Sequence, residues 1–431
     1  MIIFTFPGQG SQRSGMGKDW IGHPSWEVVT DASDASGRDI GHLLLDAPQG
    51  ELTQTRNAQL ATFTMSLMVL DALERVGLEP GGCAGHSLGE YTALVASGAV
   101  GFEDGVRLVV ERGEAMQIAS EDNPGTMAAA LGISDDDAQS ACLRAETDVW
   151  VANFNAPGQV VLAGTVEGVE RAGHIAKSLG AKKILSIPVG GAFHTPLMAP
   201  AREHLRKAIS STKFSDPEIP LVANVDAKQH DSGTEWPSLL SAALCSPVRW
   251  HQTLATFNAM EPKAFIEVGP GGVLVGLARR IVGDAKALVV SKPEDVDFLL
   301  GVLSDNKQIQ AYVGSHSGEH THMSERVIVS PIGGIFEPVE GLAAPEPAAR
   351  HTRASNALQQ QSDEGNNGAF PAKASNEDSN SISINTGDLL GNVSGVEVRT
   401  QFSGSLMGLL VLSGERVAAG QPVAWLRVEP D

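Results

Sequence analysis

Ser87 stands in Gly85-His86-Ser87-Leu88-Gly89, a serine bracketed by glycines at the G-x-S-x-G spacing. A serine hydroxyl becomes a useful nucleophile when a sharp turn lifts it clear of the backbone. Side chains beside the serine would block such a turn, and glycine removes them. The small apolar stretch Gly81-Gly82-Cys83-Ala84 before it reads as a strand, and residues 91–96 after it as a helix running to Gly98. Strand, turn, serine and helix together build a nucleophile elbow, with helix N-terminal amides aimed at a developing oxyanion. A Gly/Ser turn that merely caps a helix uses the same five residues, so the motif alone leaves both readings open.

Two further residues carry chemistry that such a serine would need. His194, in Gly190-Gly191-Ala192-Phe193-His194-Thr195-Pro196, stands at the mouth of a new helix after glycines that leave its approach open. Arg112 lies on a helix predicted over 102–118, whose inward face carries Val106, Val109, Val110, Gly113 and Met116. Taken alone, each has an ordinary structural reading: a satisfied histidine, or an arginine that snorkels or pairs with a carboxylate. Near the start, Pro7-Gly8-Gln9-Gly10-Ser11-Gln12 follows a predicted strand, and its glycines let backbone amides approach a ligand. Gly8-x-Gly10 lacks the third glycine and the downstream acid of a dinucleotide fingerprint. A helix predicted over 57–77 carries Gln59 beside Leu60, Phe63, Leu67, Leu70 and Leu73.

The elements that must position these residues fall into three blocks. Residues 1–124 and 190–300 read as one α/β core, with strands at 1–6, 220–225 and 265–268 and helices at 236–244 and 273–281. Residues 125–189 alternate in short elements: strand 126–132, helix 134–145, strands 149–153 and 159–163, helix 166–179 and strand 183–189. That β-α-β-β-α-β order is the ferredoxin-like plan, inserted as a small subdomain. After a linker at 301–325, an alternating strand pair at 326–338 opens a third block, 326–340 and 382–431, of short Gly-punctuated strands. Between its two parts, 341–381 is rich in Ala, Pro, Ser, Asn, Gln and Glu and reads as a disordered insertion.

Composition narrows the function classes. A formal net charge of −20 over 431 residues gives no basic excess to meet phosphates or anionic lipid, which argues against nucleic acid and membrane partners. Three distant cysteines, Cys83, Cys142 and Cys245, form neither a disulfide framework nor a metal spacing, so no metal is expected and a reducing cytoplasm fits. Residues 1–6 lack a basic n-region and turn at Pro7-Gly8, so they read as a buried strand rather than a signal peptide. No apolar run approaches membrane-spanning length.

Five ordered motifs resemble the malonyl-CoA:acyl-carrier-protein transacylases, the acyltransferase family of fatty acid and polyketide synthesis. They are Phe6-Pro7-Gly8-Gln9-Gly10-Ser11-Gln12, Gly85-His86-Ser87-Leu88-Gly89-Glu90-Tyr91, Arg112-Gly113 with Met116-Gln117, Gly191-Ala192-Phe193-His194, and Glu267-Val268-Gly269-Pro270-Gly271. The likeness covers about residues 1–290. It implies an α/β-hydrolase-like large subdomain around the ferredoxin-like one. It implies Ser87 as nucleophile, His194 as base, and an oxyanion hole from the Gln9 and Leu88 amides. Arg112 would hold the free malonyl carboxylate, in a pocket lined by Gln59, Met116, His86 and Phe193. Phe193 resembles the malonyl-selective form of its motif, its ring crowding an α-methyl branch. A backbone carbonyl, rather than an aspartate, orients the histidine in this family. The segment that gives it is here Ala243-Leu244-Cys245-Ser246-Pro247-Val248, with alanine where a glutamine is common; since only the main chain acts, Ala243 is the expected acceptor.

The resemblance implies malonyl-CoA as substrate, an acyl carrier protein as acceptor through its phosphopantetheine thiol, and no cofactor of the enzyme's own. A serine acyl hydrolase acting on acyl thioesters is the alternative, and Arg112 separates the two, because an esterase has no need of a fixed cation. An acidic carrier meeting an acidic chain requires a local basic patch, for which Lys182, Lys183, Arg279 and Arg280 are candidates. The third block resembles a biotinyl/lipoyl-like barrel-sandwich domain, an all-β unit. Its hairpin place, Val393-Ser394-Gly395-Val396-Glu397-Val398-Arg399, holds no modifiable lysine.

Overall fold

The computed structural model describes residues 1–283, 285–304, 325–339 and 382–409, and parts of 411–427. The helix predicted to start near 57 and the strand at 1–6 are both present, and the chain runs as follows. β1 (Ile2–Phe6) leads through short helices α1 (Glu27–Ser36), α2 (Ile40–Leu45) and α3 (Gln49–Leu52) to the long α4 (Thr55–Arg75). Then come β2 (Gly82–Gly85), α5 (Gly89–Ala96) and α6 (Phe102–Asp122). The inserted segment is β3 (Thr126–Leu131), α7 (Asp135–Arg144), β4 (Val149–Ala156), β5 (Gln159–Gly164), α8 (Val166–Ser178) and β6 (Lys183–Ile187). The core resumes with α9 (Ala199–Ser211), α10 (Trp236–Ala243), α11 (Trp250–Asn258), β7 (Ala264–Val268), α12 (Val273–Ala278), β8 (Lys286–Val290) and α13 (Pro293–Ser304).

The core sheet has the order β2-β1-β7-β8, every pair parallel. β1 reads Ile-Ile-Phe-Thr-Phe and is buried throughout, as a strand covered on both faces must be. Ile3, Phe265, Trp250, Leu254, Phe257 and Leu274 pack one side of it. In a parallel sheet, ligands meet the loops at the carboxyl ends of the strands. Here those loops are Pro7-Gly8-Gln9 after β1, His86-Ser87 after β2 and Gly269-Pro270-Gly271 after β7, so one sheet edge gathers three of the five motifs.

The inserted segment folds as an antiparallel sheet of order β4-β5-β3-β6. Its α7 and α8 close over a core of Val149, Val151, Phe154, Val160, Leu162 and Val169. Ser134 and Thr165 cap the two helices by accepting the Asp137 and Gly168 amides at 3.1 Å each.

Three expectations change. Residues 220–225 form no regular strand: single bridges join Leu221 to Cys83 and Val222 to Gln229. The reason is that Asn224 donates its amide to Glu90 and lends its carbonyl to Arg249, leaving neither for a ladder. The core's last helix runs to Ser304, past the expected boundary at 300. Strands β9 (Glu325–Val329) and β10 (Gly334–Pro338) do not pair with each other; β9 pairs the strand Pro422–Arg427, and β10 pairs the strands Leu389–Val393 and Arg416–Val417. The Ser330-Pro331-Ile332-Gly333 turn sends them to different sheets. The expected linker beyond 304 and the insertion 341–381 lie outside the described residues.

The C-terminal unit, described by itself, is all β. Its further strands are β11 (Ile382–Ile384), β12 (Leu389–Val393), β13 (Val396–Arg399), β14 (Gly404–Leu409), β15 (Arg416–Val417) and β16 (Pro422–Arg427). They form two four-stranded sheets, β13-β12-β10-β15 and β11-β14-β16-β9, around Phe336, Leu390, Val393, Phe402, Leu406 and Leu426. The β12–β13 hairpin turns on Ser394-Gly395, φ 49° and 86°, as a tight two-residue loop requires.

Candidate active site

The elbow forms because its glycines permit contacts no side chain would survive. A Cβ on Gly85 would lie 1.7 Å from the Gly89 carbonyl carbon, and one on Gly89 would lie 2.1 Å from the Phe6 oxygen. The turn drives Ser87 to φ 55°, a left-handed conformation that a non-glycine residue adopts only under constraint. His194, at φ 62°, is strained in the same way.

These two strained residues meet. Ser87 Oγ lies 2.7 Å from His194 Nε2. On the other side of the ring, Nδ1 lies 2.8 Å from the carbonyl of Ala243, at the end of α10. A carbonyl only accepts, so the proton sits on Nδ1 and the Nε2 lone pair faces the serine. Burial, and after it the positive charge of Arg112, pushes the His194 pKa down to about 3. At neutral pH the imidazole is therefore an uncharged acceptor for the serine proton.

Arg112 reaches the same point from α6. It is 3% exposed, donates from Nη1 to Gln59 Oε1 at 2.6 Å and from Nη2 to Ser87 Oγ at 3.1 Å. Its carbon centre stands 5.3 Å from the Tyr91 ring centroid. Burial lowers its pKa, while Tyr91 and Glu90 act to raise it, and a guanidinium stays charged. Among the described residues, its buried Nε–H meets no acceptor. Gln59 in turn offers its Nε2 to Met116 Sδ at 3.4 Å, which ties the arginine to the pocket wall.

The cleft in front of Ser87 has a volume of about 230 Å³ and is lined by Gln9, His86, Arg112, Met116, Phe193 and His194, among others. Among the described residues, neither the Gln9 nor the Leu88 backbone N–H donates to a protein acceptor. His86 points to the inserted subdomain: its Nε2 lies 2.9 Å from Asn155 Oδ1, and its ring meets Trp250 edge-on. Burial lowers its pKa too. Every site residue expected from sequence thus lines or adjoins one cleft.

The opposite wall and rim come from α12 and β6. Glu267 caps α12 by accepting the Gly272 and Val275 amides at 3.0 and 2.8 Å. Val273 and Leu277 on this helix, and Ile187 on β6, line the cleft. The exposed cations Arg279 and Arg280 follow α12, and Lys182 and Lys183 sit where β6 begins. Arg280 donates to Gln159 at 2.8 Å, and Gln159 and Lys183 are both sheet partners of Leu131. Arg280 thus reaches the end of the inserted sheet at which β6 begins, while Arg279 donates to the Ala287 carbonyl on β8 at 3.4 Å.

Sequence reasoning missed Asn224, Glu90 and Asn155. Asn224 Oδ1 accepts the Ser87 amide at 2.8 Å, and its Nδ2 donates to the Gly85 carbonyl at 2.7 Å. Glu90 Oε1 accepts the Asn224 amide at 2.7 Å, and burial raises the Glu90 pKa to about 7. A polar residue inside an apolar run, Pro220-Leu221-Val222-Ala223-Asn224-Val225, is the only signal the sequence offered. The cysteines are no rivals to Ser87: burial raises all three thiols, Cys142 to about 12. Among the described residues no group of His, Cys, Asp or Glu is disposed to hold a metal, and no helix is long and apolar enough to cross a membrane.

An elbow serine held against a neutral imidazole on a parallel α/β sheet defines machinery for acyl transfer through an ester. Residues 3–310 match the acyl transferase domain family, and the chain belongs to it. Among its relatives is the malonyl CoA-acyl carrier protein transacylase of Bacillus subtilis, 39% identical over 314 residues, spanning 70% of this chain and 98% of that protein. The Escherichia coli protein of the same name is 41% identical over 303 residues, 68% of this chain and 96% of its own length. The solved acyl carrier protein S-malonyltransferase of Vibrio cholerae superposes with a TM-score of 0.67 at 38% identity, covering 69% of this chain and 99% of that one. A malonyl-transacylase solved with a type II PKS acyl-carrier protein gives the same score at 37% identity, over 70% and 99% of the two chains. The family match ends at residue 310, so the C-terminal strands lie outside it.

Proposed function

We propose that the protein transfers malonyl from malonyl-CoA to the phosphopantetheine thiol of an acyl carrier protein, through a malonyl ester on Ser87. The observation that carries this reading is the buried Arg112 guanidinium within 3.1 Å of the nucleophile's oxygen. A neutral acyl group has no use for it; a short acyl group ending in a carboxylate meets its charge at the right distance.

The steps follow from the geometry. His194 Nε2 takes the Ser87 proton as Oγ bonds to the thioester carbonyl carbon. The tetrahedral oxyanion draws on the free Gln9 and Leu88 amides, the latter at the N-terminus of α5. The C–S bond then breaks, the imidazolium gives its proton to the departing coenzyme A sulfur, and the malonyl ester remains. In the second half the carrier's thiol gives its proton to His194 and attacks the ester, and Ser87 recovers its hydrogen. Coenzyme A and the phosphopantetheine arm are substrate and partner, and the reaction calls for no cofactor of the protein's own. Hydrolysis is the competing use of the same elbow.

The four cations suit an acidic carrier, since they stand at the ends of α12 and β6, two elements that line the cleft wall. Charge reversal at Lys182, Lys183, Arg279 and Arg280 is expected to raise the carrier's KM and leave that of malonyl-CoA unchanged. We further assign the large subdomain as α/β-hydrolase-like and the inserted one as ferredoxin-like. The C-terminal unit we assign as biotinyl/lipoyl-like, with a docking or spacer role. Its hairpin offers Ser394-Gly395 where a carrier lysine would stand, so protein from the native host should show no biotin or lipoyl adduct by intact mass.

The direct test is incubation with malonyl-CoA and acetyl-CoA, followed by intact and peptide mass analysis. Malonyl label on Ser87, transferable to a carrier protein, is expected. Better labelling by acetyl, or release of free malonate in place of transfer, would refute the assignment.

A further inference from the structure

We propose that Asn224 is a positioning residue for the nucleophile: its carboxamide clamps the elbow from behind and decides which backbone amide faces the substrate. The inference rests on the reading of Ser87 as acyl nucleophile given above. Asn224 is 1% exposed and touches neither the cleft nor the reacting atoms; it acts through Ser87.

Its hydrogen bonds admit one orientation. The Ser87 N–H can only donate and the Gly85 carbonyl can only accept, so Oδ1 must face the first and Nδ2 the second. The two contacts grip the chain on both sides of His86, at the point where the turn bends. Asn224 is itself immobilised, donating its N–H to Glu90 Oε1 and accepting from the Arg249 N–H at 3.0 Å. Elements distant in sequence, α5 and the start of α11, thus hold the clamp.

Two consequences follow for chemistry. Ser87 stays at φ 55° because its amide is anchored, and this conformation keeps Oγ within 2.7 Å of His194. The Ser87 amide is also spent behind the turn, so it cannot compete for the oxyanion. Leu88 then supplies the first elbow amide free to face the cleft.

Asn224→Ala and Asn224→Asp distinguish this from mere packing. Alanine removes both contacts and lets the serine drift; a displacement of about 1 Å at a reacting atom costs about a hundredfold in rate. The malonyl acylation rate of Asn224→Ala, read by quenched-flow labelling, should fall by about that factor, with KM for malonyl-CoA within about twofold because the Arg112 pocket is untouched. Aspartate is nearly isosteric. Ionised, it accepts the Ser87 amide but cannot donate to Gly85; protonated, it does both. Burial beside Glu90, whose own carboxyl feels both Asp226 and Arg112, favours its protonation, while the Arg249 guanidinium, bonded to the adjacent Val225 carbonyl, opposes it. The Asn224→Asp to wild-type rate ratio should therefore rise as pH falls, whereas the Asn224→Ala ratio stays flat.

An Asn224→Ala acylation rate equal to wild type, or an Asn224→Asp ratio independent of pH, would overturn the proposal. Should the alanine variant not fold, the aspartate profile decides by itself. Wild-type protein that takes no malonyl label on Ser87 would remove the functional reading and this inference with it, while labelled wild type with unaffected variants would remove the inference alone.

Discussion

Replacing Arg112 by alanine separates the proposed reaction from every alternative use of the same elbow. In the folded protein the guanidinium is 3% exposed, held by Gln59 at 2.6 Å and with its Nε–H unpartnered. A malonyl carboxylate bound there forms a buried, charge-assisted pair. Removing one partner from a buried pair costs about 3–5 kcal/mol, because the remaining charge is stranded away from water. At 1.36 kcal/mol per decade, that predicts a fall of about 10²- to 10⁴-fold in kcat/KM for malonyl-CoA. Acetyl-CoA brings no carboxylate, so its loss should be confined to the contact of Nη2 with Ser87, about tenfold or less. The preference between the two acyl groups should therefore reverse or vanish. The variant carries a second signature: without the cation, His194 keeps burial and His86 but loses the Arg112 charge among the influences that lower its pKa, and the acid limb for acetyl transfer should move toward higher pH. Single-turnover acylation with each thioester, across pH, reads both effects. Equal losses for malonyl and acetyl would refute the role of Arg112 and the substrate class with it.

Other outcomes follow from the same geometry. Because His194 is held near a pKa of about 3, the acylation rate of wild-type protein should not fall between pH 7 and 5 through this group; an acid limb centred near 6.5 would contradict its burial. The same depression bears on stability: below pH 6.5 the unfolded chain takes up a proton that the folded histidine refuses. Its contribution is thus intact above 6.5 and lost progressively toward 3, and replacing His194 by glutamine should flatten that part of the pH–stability curve measured by denaturant titration. Gly89→Ala should destabilise the fold by more than about 4 kcal/mol, or prevent folding, since its Cβ would sit 2.1 Å from a backbone oxygen; a wild-type melting temperature would show that the elbow relaxes. Phe193→Ser should raise the ratio of methylmalonyl to malonyl transfer by about 10- to 150-fold, the scale of one methyl-sized contact, in a competition assay.

Much of this protein could be read before any coordinates. The glycines of the elbow announce a turn because a steric rule is local, and the apolar run of β1 announces a buried strand because burial is written in the types of adjacent residues. Ser87, Arg112 and His194 were legible as residue types in ordered motifs, and Gln59 and Ala243 by the family resemblance those motifs carry. What the chain's order could not give was distance. Residues 87, 112, 194 and 243 come together only because β2 lies beside β1, α6 packs against α5 and α10 ends against the His194 loop. The strand expected at 220–225 failed for that same reason: the amide and carbonyl of Asn224 were claimed by Glu90 and Arg249, partners far away in sequence. The two strands expected to pair at 326–338 likewise chose partners up to about a hundred residues on. Sequence by itself determined the chemistry each residue can perform and the local conformation it prefers, since both are properties of a few neighbouring atoms. Tertiary structure alone decided which side chains share a cleft, which hydrogen bonds are spent and which remain free, because those depend on packing summed over the whole core.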